Sequence, residues 1–326
     1  MKFLSRLTRH WRARAIRVKL QAMKTSSSLI VPTALLLLGG TAYGSVISAN
    51  KLAVDAGMPF IAYAFWQMII ASAVLLPVSA LLRSPPKLNR RHLRVYGLVA
   101  TVGLSGPLLI LAFLADKLPP SVLTLVVALI AAATYLLALA VRSESFRWLS
   151  LLGVALGFGG VLLIVLPEKS LPEPAAAGWV LFALLLPASA AVNNVFTARL
   201  MPPDVNSLSL TTGVMAIGAL LLFILMLLID GPVALTHAGF DAIWPTLWAA
   251  AGNAITYVCF FEILRRAGPL FFAQMNYIVV AAGVFWAYIL FGDRPSDWLW
   301  GAIAIIALGL AVMNFAKARA LRRADG

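Results

Sequence analysis

The sequence predicts an all-α polytopic membrane protein with ten transmembrane helices in two inverted five-helix repeats, both termini lying on the inner side. Three observations carry this prediction. Hydrophobic residues make up 62% of the 326 residues and charged residues 12%, whereas a soluble domain carries about 25% charged residues. The apolar residues fall in runs of about twenty, enough at about 1.5 Å per residue to cross about 30 Å of hydrocarbon. Finally, the chain repeats itself at a spacing of 149 positions: Pro120 answers to Pro269, Ala133 to Ala282, Glu144 to Asp293 and Gly160 to Gly309.

Residues 1–28 hold eight Lys or Arg and no acid. Phe3, Leu7, Trp11, Ala15, Val18 and Ala22 recur at helical spacing, as in an interfacial helix. A disordered basic tail and an organellar transit peptide share this composition. Met1 and Met23 are equally good starts. The expected spans are 29–50, 58–82, 93–115, 119–141, 147–166, 176–200, 206–229, 244–264, 269–291 and 297–315, followed by a basic tail at 316–326. They group as repeats over 29–166 and 176–315. Pro107 and Pro187 fall inside spans, which bundles tolerate because neighbours satisfy the freed backbone groups.

Orientation follows from the cations. With the N-terminus inside, 22 of the 26 Lys and Arg fall on inner segments, and only Lys51, Lys117, Lys169 and Arg294 fall outside. Each element and its copy are five spans apart. Five is odd, so the second half is inverted relative to the first, an arrangement that secondary transporters use around a midplane site. The net charge of +14 is spread between apolar spans and forms no continuous face for nucleic acid.

Polar residues at depth are the candidate site. Tyr43, Gln67, Asn193, Asn253, Tyr257, Gln274 and Asn276 are neutral donors and acceptors, with Ser45, Asn194 and Tyr277 beside them. Such a lining suits a small neutral or zwitterionic solute. The competing reading is hydrogen bonding between helices with no ligand. No acid, Lys, Arg or His falls mid-span; Glu262 is spaced to pair with Arg265 and Arg266 at an inner helix end. His10, His92 and His237 are expected in solvated tails or loops, and Cys259 as a small buried apolar residue. Gly153 and Gly157, with Gly160, Gly301 and Gly309, would let spans five and ten approach neighbours closely. Trp148, Trp179, Trp244, Trp298 and Trp300 fit the membrane's aromatic belts. Phosphate-binding loops, metal motifs and nucleophile pairs are absent, so neither an enzyme nor a cofactor is expected.

The stretches Ala267 to Val312 and Leu118 to Val165 resemble the EamA-type permeases of the drug/metabolite transporter superfamily, over nearly all of 29–315. The Leu-Gly-Glu turn usual there reads Phe291-Gly292-Asp293 in one copy and Arg142-Ser143-Glu144 in the other. The resemblance implies secondary transport by alternating access through a central cavity, often export of amino acids or related metabolites across a bacterial inner membrane. The expected partners are the lipid bilayer and a small solute, with a proton as coupling ion or, since no titratable group falls mid-span, exchange or uniport instead, in a monomer or homodimer. A membrane scaffold or accessory subunit is the alternative, as is a nucleotide-sugar or sugar-phosphate carrier, which would want cations lining its cavity.

Overall fold

The computed structural model describes residues 30–142, 144, 146–165, 176–200, 206–272, 274–293 and 296–324. The basic segment 1–28, with His10 and Met23, lies outside the described residues, as do Lys169 and Arg294. The described residues form α1 (Ile30–Asp55), α2 (Phe60–Leu81) and α3 (Arg90–Leu114). Next come α4 (Pro120–Ala140), α5 (Trp148–Val165), and α6 (Ala176–Ala183 continuing as Leu185–Leu200). They end with α7 (Ser207–Ile229), α8 (Phe240–Phe272), α9 (Met275–Phe291) and α10 (Asp297–Ala324).

The chain is therefore an all-α, multi-pass membrane protein. Against ten expected spans, six described helices, α1 to α4, α6 and α7, are long and apolar enough to cross a bilayer by length and composition. Three others are shorter apolar helices: Trp148–Leu163, Met275–Phe291 and Asp297–Met313. The 17 residues of α9 rise only about 26 Å, short of about 30 Å of hydrocarbon. The sequence places a break at Gly268-Pro269, but α8 runs on to Phe272 and the chain turns at Gln274. Proline removes a single amide donor, and a helix with strong formers on both sides can continue through it.

Local chemistry sets the ends. Asn89 caps α3 by accepting from the His92 N–H at 3.0 Å, and Asn206 caps α7 by accepting from the Leu208 N–H at 2.9 Å. In α6 the helix breaks at Leu184, three residues before Pro187, whose ring leaves the residue 183 carbonyl without its donor. Two of the cations expected outside serve the C-terminal end of α3. Lys51 Nζ donates to the Ala115 carbonyl at 3.2 Å, and Lys117 Nζ to the Phe113 carbonyl at 3.1 Å. Cations at that end also meet the negative pole of the helix.

The packing recurs when helix numbers are advanced by five. α2 lies on α7, α4 on α9 and α5 on α10. α3 packs against α6 and α7, and correspondingly α8 packs against α1 and α2. Glycines set the closest approaches. On α5 and α10, a Cβ at Gly153 would lie 2.5 Å from the Gly309 carbonyl oxygen, and one at Gly309 would lie 2.7 Å from the Gly153 carbonyl oxygen. A Cβ at Gly44 of α1 would lie 2.8 Å from the Gly283 nitrogen of α9. The apolar interior divides between a cluster centred on α2, α3, α7 and α8 and one centred on α1, α4, α6, α9 and α10.

Candidate functional site at a break in α3

The middle of α3 is a π-helical segment, Val99–Ser105, between two α-helical arms. Pro107 follows it and has no amide hydrogen, so the carbonyls it would serve, those of Val102 and Gly103, need other donors. Both are supplied from the second half of the chain. Ser189 Oγ of α6 donates to the Val102 carbonyl at 2.5 Å, and the Tyr257 hydroxyl of α8 donates to the Gly103 carbonyl at 2.6 Å. Gly103 also admits the Asn193 amide of α6: a Cβ there would lie 2.3 Å from Asn193 Oδ1. Thr197 Oγ1 donates to that same Oδ1 at 3.1 Å. Gly252, 149 positions after Gly103, admits Val46 of α1 in the corresponding way.

Tyr43 of α1 is half-buried against the cluster centred on α1, α4, α6, α9 and α10. The Tyr43 and Tyr257 side chains each keep partly accessible surface. Asn193, Tyr257 and the open backbone of α3 thus meet, drawn from three helices and from both halves. They present hydroxyls, an amide and carbonyls, and no net charge. Chemically this arrangement can exchange hydrogen bonds with a polar solute.

The other expected residues fall elsewhere. Gln67 and Asn253 bond to each other, Asn253 Nδ2 donating to Gln67 Oε1 at 2.9 Å between α8 and α2, and are 0% and 2% exposed. Gln67 Nε2 is left without a partner. Gln274 is exposed at the turn between α8 and α9, and Asn276 is half-buried in the first turn of α9. Tyr277 lines an apolar groove of about 380 Å³ between α9 and α10, with Val280, Trp300 and Ile306. Asn194 Nδ2 donates to Thr134 Oγ1 at 3.2 Å, joining α6 to α4. Ser45 accepts from Trp248 Nε1 at 3.0 Å, and Trp248 packs on Trp286 at 4.9 Å.

Glu262 pairs with Arg265 at 2.6 Å and with Arg266, and also accepts from Ser207 Oγ of α7 at 2.9 Å. The pairs foreseen from spacing are therefore joined by a tie between helices. His92 is not solvated: it is 2% exposed in the first turn of α3, with Nδ1 2.7 Å from Asn89 Oδ1 and its ring edge-on to Tyr96. The helix begins earlier than the expected start at residue 93, which turns this position inward. His237 is exposed, and Cys259 is buried. Sequence reasoning missed the π-segment and Ser189. The signal available was Gly103 four residues before Pro107, a pairing that leaves a carbonyl at depth in need of a donor.

Among the described residues no group of three or more His, Cys, Asp or Glu could hold a metal ion. No curated protein matches the chain. A protein known from its crystal structure has the same fold, with a TM-score of 0.59 at 20% sequence identity, covering 88% of this chain and 98% of its own. A single family model, the EamA-like transporter family, matches twice, over residues 32–166 and 177–315. With nearly the whole membrane region matched, the chain belongs to the EamA-like transporter family, a family of transporters rather than enzymes.

Proposed function

We propose that the chain is a ten-span secondary transporter that moves a small polar or zwitterionic organic solute, an amino acid or related metabolite, across the cell inner membrane by alternating access. In this reading the two halves are inverted, both termini are inside, and transport runs as export. The observation that carries it is the meeting of Asn193 and Tyr257 at the broken backbone of α3, where neutral donors and acceptors from both halves come together. The cation census and the double family match support the inverted arrangement.

Apart from Glu262, which lies inside α8 and is held by Ser207, Arg265 and Arg266, the described acids sit at helix ends or in turns. Proton coupling through a midplane carboxylate therefore has no group to use here, and exchange or uniport fits the chemistry better. Proteoliposomes loaded with amino acids, assayed with and without a pH gradient, test this. Flux of a zwitterionic solute indifferent to the gradient is expected. Absence of flux for every candidate would sink the transport reading, and flux that follows the gradient would restore proton coupling.

One observation favours the scaffold reading locally: Gln67 and Asn253 are dry and bonded to each other, as helix-joining amides are. We assign that pair to holding α2 on α8 and the Tyr43, Asn193 and Tyr257 group to solute. A sugar-phosphate carrier would need cations beside this group, and the two described inside α8, Arg265 and Arg266, are paired with Glu262.

A further inference from the structure

The turn between α9 and α10 reaches into the other half of the chain. α4 opens on Pro119-Pro120-Ser121; Pro119 stands at the N-cap with no side-chain cap bond, and Pro120 has no amide hydrogen to offer. Ser121 therefore carries the first N–H of this helix. Asp293 Oδ2 accepts from Ser121 Oγ at 2.6 Å and from the Ser121 N–H at 3.4 Å. A carboxylate at a helix N-terminus also meets the positive pole of the helix dipole. Ser121 is fully buried beneath it. One turn further along α4, Thr124 lies against α9, where a Cβ at Gly283 would stand 2.4 Å from Thr124 Oγ1. The same Gly283 backbone meets Gly44 of α1. The outer end of α4 is thus joined to α9 by a cap above and a glycine contact beneath.

We propose that the Asp293 to Ser121 contact is a latch that keeps the outer ends of α4 and α9 together and opens whenever the central site faces outward. Asp293 is then a positioning residue of the transport cycle. The proposal rests on the alternating-access reading, with the α3–α4 and α9–α10 turns on the outer side. α4 and α9 belong to different halves, so a movement of one half against the other that separates their outer ends parts this contact. Glu144, at the corresponding turn of the first copy, pairs with Arg147 of its own half at 3.1 Å.

The test places a reporter at the central site: Tyr43→Cys in a Cys259→Ala background, in right-side-out vesicles, with a membrane-impermeant maleimide added outside. Removing the cap with Asp293→Ala or Ser121→Ala is expected to raise the labelling rate about tenfold, the ratio that about 1.4 kcal/mol of cap represents. The double variant should rise no further than either single one. Asp293→Asn, which keeps an acceptor oxygen, should stay within about threefold of the parent. Should Asp293→Ala fail to fold, as its thermal midpoint will show, Ser121→Ala carries the test. Labelling indifferent to both alanine variants, or effects that add, overturns the latch alone. Absence of labelling in every variant, in right-side-out and in inside-out vesicles alike, overturns the transport reading, and the latch with it.

Discussion

Replacing Tyr257 by Phe removes one hydroxyl and leaves the Gly103 carbonyl, already deprived of a backbone donor by Pro107, without its 2.6 Å partner. An interhelical hydrogen bond in a membrane bundle contributes about 0.6 kcal/mol on average and up to about 1.7. A buried acceptor left unsatisfied costs about 1–3 kcal/mol. The second figure governs here because Pro107 has no amide hydrogen to take over, so a loss of about 1–2 kcal/mol is expected. Equilibrium unfolding in mixed micelles, followed by circular dichroism, measures it. The decisive comparison is the same substitution in a Pro107→Ala background, where the backbone regains an N–H able to reach the freed carbonyl. There the loss should fall below about 0.5 kcal/mol, because the hydroxyl is no longer the sole donor. Equal losses in both backgrounds would refute the link from Pro107 to Tyr257.

Other substitutions read the remaining contacts. Gly103→Ala drives a methyl into the Asn193 amide and should cost about 1–3 kcal/mol, whereas Gly97→Ala, six residues earlier with open space around it, should be neutral or stabilise by up to about 1 kcal/mol; thermal unfolding separates them. Gly153→Ala meets the Gly309 carbonyl and the Met313 side chain, so the α5 and α10 seam should loosen by about 1–3 kcal/mol on the same measurement. Glu262→Gln should lower stability by about 1–2 kcal/mol through its Ser207 and arginine partners while leaving solute flux under a pH gradient within about twofold; collapse of flux would make this residue part of the proton path. Gln67→Leu with Asn253→Leu should cost less than the sum of the single changes, since each single change strands the other amide. Flux that survives in the folded double variant agrees with a helix-joining role, and flux lost there would return the pair to the solute site.

Much of the fold was legible because hydrocarbon imposes a long, simple pattern. The runs that became α2, α4 and α7 are read directly from their composition, and the glycines of α5 and α10 announce close packing. What escaped depends on partners far away in sequence. Nothing local to Ser121 tells that its cap comes from Asp293, 172 residues later. Gly268-Pro269 has the local chemistry of a break, yet the helix continues there and the chain turns at Gln274, which moves that residue from the expected span to an exposed corner. His92 looked like a loop residue until Asn89 capped the helix that turns it inward. At the site, depth singled out Tyr43, Asn193 and Tyr257 among the polar residues, but the meeting of Asn193 and Tyr257 depends on a backbone break in α3 that pattern reading does not resolve. Gln67 and Asn253 share the same depth, and only the contact between them separates a helix tie from a solute surface.

The most direct test of the central claim is solute counterflow in proteoliposomes, comparing the parent chain with Tyr43→Phe and Asn193→Ala. The account predicts saturable counterflow of a zwitterionic solute by the parent, with the apparent KM raised about tenfold in each variant, the loss of about 1.4 kcal/mol of solute binding. Parent-level KM in both variants, with counterflow intact, would contradict the placement of the solute at the break in α3.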